Sequence, residues 1–191
     1  MTDIARTIGR ALRPIRPGLV ALASSRMSGW LPMGIKVTSS AFTEGAALPM
    51  VLTADGRGDS LPLAWSDLPE GTASVALLIE DADIPKLTPA VHLIVHGIAP
   101  DKGGFAQGEI PRRAIGTQPG GWRCGRNMLA APGWLPPSPP PGHGPHRYVA
   151  QVFALSETPA FPYPPGRALL LRTIRPLLLG QGRLMGIYER R

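Results

Sequence analysis

Apolar residues in this chain come in short runs set apart by glycine, proline and acidic turns, the spacing of a protein built from strands. Ile35-Lys36-Val37-Thr38-Ser39 alternates with period two and predicts a strand. Residues 41–52 read as a loop and a second short strand. Asp55-Gly56-Arg57-Gly58-Asp59-Ser60 carries turn chemistry, and Leu61-Pro62-Leu63-Ala64-Trp65 reads as an irregular apolar piece. Ala73 to Glu80 and Val91 to Ile98 are nearly continuous apolar runs, the pattern of strands buried on both faces. Gly103 to Pro141 is rich in Gly, Pro and Arg with little periodicity, and an aperiodic stretch of that length inside a compact domain is more often functional than accidental. Tyr148 to Leu155 is the last long strand. Gly166 to Ile174 has a helical pattern that Pro176 ends, and Leu184 to Tyr188 closes as a short strand or turn. Residues 1–28 read as an extension in which Pro14 and Pro17 confine any helix to the first dozen residues. That leaves residues 29–191 as a single domain, all-β with a small helix near the C-terminus.

Composition agrees. Of 191 residues, 23 are Gly and 23 are Pro, which favours turns and short strands over a helical bundle. One domain of this size buries roughly 70% of the surface its unfolded chain exposes. Cys124 is the single cysteine, so no intrachain disulfide forms and the cytoplasm is the expected compartment. The apolar runs fall far below the ~20 residues that span a bilayer. The patch Leu19 to Ala23, which follows Arg6, Arg10, Arg13 and Arg16, is too short for a secretory signal core.

The net charge of +7 sits at the two ends. Residues 1–28 hold five arginines against one acid and residues 167–191 six against one, while the stretch between them is slightly acidic. A nucleic-acid-binding face would place Lys and Arg on the folded core among aromatics, so nucleic acid is not an expected partner. The ends read as solvated arms or partner-facing tails.

Candidate chemistry gathers at strand ends. Glu80-Asp81-Ala82-Asp83-Ile84-Pro85 ends a buried strand in three carboxylates and a proline-set turn. His92 stands inside an apolar strand, and period two puts His96 on its face. Pro139-Pro140-Pro141-Gly142-His143-Gly144-Pro145 is a stiff, non-helical loop that feeds His146-Arg147-Tyr148 into the next strand, with Arg147 pointing away from its neighbours. Carboxylates beside imidazoles fix a tautomer, and two histidines with glycine-exposed N–H groups make an anion site. Asp81, Asp83, His92 and His146 could ligate a metal, but no metal and no cofactor is expected. Cys124 has no histidine assigned to it that would make it catalytic.

Taken in order, these pieces resemble the phosphatidylethanolamine-binding protein family, in its bacterial Raf-kinase-inhibitor-like branch. The Asp-Pro-Asp-x-Pro element of that family is similar to Asp81-Ala82-Asp83-Ile84-Pro85, its His-Trp strand to His92-Leu93, and its Gly-x-His-Arg-Tyr element to Gly144-Pro145-His146-Arg147-Tyr148. Ser39-Ser40-Ala41-Phe42, Ser60 to Trp65, Gly125-Arg126-Asn127 and Gly186 to Arg190 resemble its flanking pieces. The resemblance spans about residues 35–190. It implies a β-sandwich of a large and a small antiparallel sheet with a short C-terminal helix, a homodimer, and a small pocket for phosphate, phosphorylated or acetate-like anions. That pocket would be lined by Asp81, His92, Pro140, His146 and Tyr148 with Asp83 close by. Ala82 replaces the middle proline and is expected to loosen the turn. Ala90 and Leu93 replace tryptophans, and Ala90 is expected to widen or reshape the pocket mouth.

Two functional readings follow. In the first the protein is a non-catalytic module that binds a small anionic or phosphorylated ligand and modulates a kinase or another protein partner. In the second the pocket is a small-molecule enzyme, with Asp81 and His146 or His92 as an acid–base pair for proton transfer, cyclisation or hydrolysis. In a third, plainer reading the arginine-rich ends engage a partner.

Overall fold

The computed structural model describes residues 2–27 and 34–190. In chain order the elements are α1 (Thr2–Leu12), α2 (Ala23–Met27), β1 (Lys36–Thr38), β2 (Leu63–Ser66), β3 (Ser74–Asp81), β4 (Ala90–Ile98), β5 (Gly104–Phe105), β6 (Arg123–Cys124), β7 (His146–Leu155), α3 (Arg167–Ile174) and β8 (Leu178–Tyr188). All strand pairings within these elements are antiparallel. The large sheet runs β6-β4-β3-β7-β8 and the small one β1-β2-β5.

The all-β architecture follows from the apolar runs. Central strands β3, β4 and β7 are buried on both faces because both are covered. One face meets the small sheet across a core that includes Val37, Trp65, Leu77, Leu93, Phe105 and Val152. The other packs Leu78, Ile94 and Phe153 beneath Leu170 and Ile174 of α3 and Ala23 and Met27 of α2. Each such fully buried Leu, Ile or Phe contributes roughly 1.5–3 kcal/mol.

Four readings of the sequence change. Met50–Leu52 form a single 3-10 turn where a second short strand was expected. The irregular apolar piece at 61–65 ends in β2, and the closing strand is eleven residues long instead of five. Residues 2–27 are not solvated arms. The exposed surface of α1 is large, but Leu22, Ala23 and Ser24 are buried. The backbone N–H groups of Ala23 and Ser24 donate to the side chains of Glu80 and Gln151 on the large sheet. Arg167 of α3 closes the same cluster on Glu80 and on Ala21 O. The boundary expected between residues 28 and 29 lies outside the described residues. Among the described residues no helix is long and apolar enough to cross a membrane.

Candidate functional site

Three strand ends meet where β3 stops at Asp81, β4 starts at Ala90 and β7 enters at His146. Asp81 pairs with Ala90 on one side and Tyr148 on the other. In front of them lies a cavity of about 380 Å³ whose lining includes Asp81, Lys86, His92, Leu135, Pro140 and Tyr148. The aperiodic 103–141 stretch supplies the wall at Leu135 to Pro140.

His92 reaches the cavity through a bulge. The β3–β4 register runs Ile79 with Leu93 and then Glu80 with Val91, which leaves His92 as the extra residue. Leu93 faces the core between the sheets and Val91 the core under α3, so His92 is turned to the cavity side. There its ring meets Tyr148 edge-to-face at 5.1 Å. His92 Nδ1–H donates to Leu135 O at 2.7 Å while Leu135 N–H donates back to His92 O at 2.9 Å. A carbonyl can only accept, so the proton is on Nδ1. Burial lowers the pKa of His92, so the imidazole is neutral and Nε2 is bare. The bulge also breaks the period-two expectation for His96, which lies on Phe161 at 4.7 Å, in the layer under α3 and away from His92.

Tyr148 is fully buried and, among the described residues, its hydroxyl has no hydrogen-bond partner. The Ser138 backbone acts on it electrostatically without reaching hydrogen-bond geometry. Burial, followed by the Asp81 charge, raises its pKa, so the phenol stays protonated.

His146 and Asp83 stand behind the cavity and are not part of its lining. His146 Nδ1 lies 2.7 Å from Asp81 Oδ2, His146 Nε2 2.7 Å from His143 Nδ1, and His143 Nε2 3.0 Å from Leu12 O. Three hydrogen bonds need three protons, and two neutral imidazoles bring two. Burial lowers the pKa of His143, so His143 donates from Nε2 to Leu12 O and accepts at Nδ1 from His146. The third proton lies in the His146–Asp81 bond, which leaves the chain of three side chains without net charge. Asp83 accepts from the Arg147 N–H and guanidinium at 2.6–2.9 Å and pairs with Arg16 at 3.2 Å. Burial opposes its charged form, but the Arg147 bonds prevail and hold the carboxyl below the usual range.

The residues after α1 complete this wall from behind. Arg16 donates to His143 O and Pro145 O, and Arg13 donates to Gly142 O. Sequence reasoning missed Leu135, whose role is carried by its backbone, and undervalued His143, whose partners lie far away in the chain. One expectation about departures fails. Ala82 N–H donates to Arg147 O at 3.0 Å, a bond a proline could not make, so the strand pairing extends instead of loosening. Ala90 itself does not reach the lining, to which Met128 and Leu129 contribute. Cys124 lies away from this cavity and its thiol is pushed up to about 12 by burial, which removes the thiolate a catalytic cysteine needs. Among the described residues no group of three His, Cys, Asp or Glu is placed to hold a metal ion.

The chain is similar to several known proteins. A UPF0098 protein of Mycobacterium bovis is 36% identical over 184 residues, covering 94% of this chain and 83% of its own length. A putative lipoprotein of Mycobacterium tuberculosis, LppC, is 34% identical over 158 residues, 81% of this chain and 72% of its own. The crystal structure of Escherichia coli YbcL, described as a new member of the mammalian PEBP family, superposes with a TM-score of 0.75 at 27% identity, covering 83% of this chain and 99% of that one. The family profile for phosphatidylethanolamine-binding protein matches residues 38–189, and the chain belongs to that family.

Proposed function

We propose that the protein is a binding module whose cavity takes the phosphoryl or carboxylate head of a small ligand, and that it acts on a protein partner. The observation that carries this reading is the unpaired, buried Tyr148 hydroxyl, on a ring that meets the His92 imidazole edge-to-face while Nε2 of that imidazole is bare. A buried hydroxyl without a partner costs roughly 1–3 kcal/mol, and a ligand oxygen that accepts from it recovers that cost. A singly protonated phosphoryl group suits both groups: one oxygen accepts from Tyr148 and its P–OH donates to His92. Asp81 does not repel it strongly because the imidazole chain neutralises the carboxylate, and the Lys86 ammonium at the rim attracts it. His146 acts indirectly in this reading, by orienting Asp81, and so does Asp83, by anchoring Arg147. A homodimer in the cytoplasm is the arrangement we propose. Sedimentation tests the first part; fractionation tests the second, with membrane recovery, as the name of LppC suggests for that relative, as the contrary result.

Isothermal titration with O-phosphoethanolamine and with inorganic phosphate tests the site. Wild-type protein is expected to bind at least one of them, and Tyr148→Phe to bind it about tenfold more weakly, the equivalent of about 1.4 kcal/mol. Absence of heat with both probes, or an unchanged affinity in Tyr148→Phe, overturns the assignment.

A further inference from the structure

A second constellation lies at the β4–β6 edge of the large sheet. His96 and Arg123 are directly opposite in the β4–β6 register, so their side chains leave the same face with Cβ atoms about 5 Å apart. His96 is 6% exposed, yet neither ring nitrogen has a hydrogen-bond partner among the described residues. Burial, and then the charge of Arg123, pushes its pKa down to about 4, so the ring is neutral and keeps one N–H to donate. Arg123 Nε donates to the Thr117 hydroxyl at 2.8 Å. That bond fixes the guanidinium plane and leaves its two terminal amino groups free, with no carboxylate paired to them among the described residues. Two adjoining cavities of about 250 and 290 Å³ share His96, Arg123 and Phe161. Neither is lined by Asp or Glu, and the first runs on along Ile115, Pro162 and Tyr163. Ile115 and Tyr163 are 68% and 55% exposed, an apolar rim in which the Tyr163 ring carries the Arg126 guanidinium at 5.8 Å.

We propose that this cleft is a binding site, separate from the His92–Tyr148 cavity, for a small monoanion with an apolar body, of the aryl or short alkyl carboxylate class. The two amino groups of a held guanidinium match the two oxygens of a carboxylate in a planar fork. The N–H of His96 supplies a third donor to the same head. Arg123 is the one charged side chain that lines the two cavities and balances a single negative charge, with Arg126 held over the Tyr163 ring. Phe161, Pro162, Tyr163 and Ile115 then cover a ring or short chain, which explains an apolar rim left open at the surface. The ring of His96, with no hydrogen-bond partner among the described residues, lines both cavities, where a ligand can reach it.

Benzoate is the probe, followed by NMR of ¹⁵N-labelled protein. The Arg123 Nε–H and His96 ring resonances are expected to shift and saturate with benzoate, and to stay in place with benzamide, which has the same shape without the charge. Arg123→Gln, a surface change expected to leave thermal unfolding unaltered, weakens benzoate at least tenfold. Shifts confined to His92 and Tyr148, equal responses to benzoate and benzamide, or wild-type affinity in Arg123→Gln would each overturn the proposal. The benzamide comparison uses the unaltered protein and decides the matter even if a variant misfolds.

Discussion

Between His146 and Leu12, His143 accepts one hydrogen bond and donates another from a fully buried position. Its replacement by alanine orphans a ring N–H and a carbonyl and opens a small void at the same time. His143→Ala is therefore expected to lose about 2–4 kcal/mol of stability, read from urea unfolding midpoints at unchanged slope; a loss below about 0.5 kcal/mol would mean that the imidazole chain is not structural. At this scale the sequence was informative where a polar residue interrupts an apolar run. His92 does so, Asp81 and Tyr148 border such runs, and the structure brings the three to one cavity. It was silent on Leu135, because a backbone carbonyl has no residue type, and on His143, because its partner at residue 12 arrives from 131 positions away.

Among the elements, the strands that could be read were those whose burial comes from a continuous apolar run, such as β3 and β7. β8 was recognised only at its end because Gly180, Gly182 and Gly186 weaken its strand propensity. Those glycines are where other segments cross. A Cβ at Gly182 would overlap the Ile35 backbone, and one at Gly186 the Leu48 side chain. A bulge is equally hidden from periodicity, which is why His96 was assigned to the wrong face. The prolines bound helix α1 correctly, but they do not confine helix to the first dozen residues, because α2 forms beyond them at Ala23–Met27; the docking of α1 was not foreseen either, since it lies against the rest of the molecule through Gly9 and not through an apolar stripe. A side chain at Gly9 would collide with Pro141 O and His143 N. Gly9→Val is thus expected to lift α1 from the loop, raising amide hydrogen exchange in residues 142–147 by tenfold or more while the β3 and β4 amides stay protected. Unchanged exchange in that loop would show that α1 does not brace it.

For the molecule as a whole, buried neutral histidines set the acid limit of stability. His96 titrates near 4 in the folded protein against about 6.5 unfolded, so between those values the unfolded chain binds a proton that the folded one refuses. Stability then falls with falling pH, by up to about 1.4 kcal/mol per unit. Relative to wild type, His96→Gln is expected to gain up to about 3 kcal/mol as pH drops from 7 to 4, seen in denaturation midpoints across that range; parallel pH profiles would refute it. His92 and His143, also lowered by burial, keep the remaining slope. The order of assembly follows from Gly142. Its φ of 77° and the Arg6 carbonyl 2.7 Å from where a Cβ would stand restrict the position to glycine. Its carbonyl accepts from Arg13, 129 residues earlier, and its N–H donates to Arg190 O. Both tethers are long-range closures, the slow kind. During synthesis residue 190 must leave the ribosome before the back of the cavity can lock, so this wall is completed only after that residue emerges.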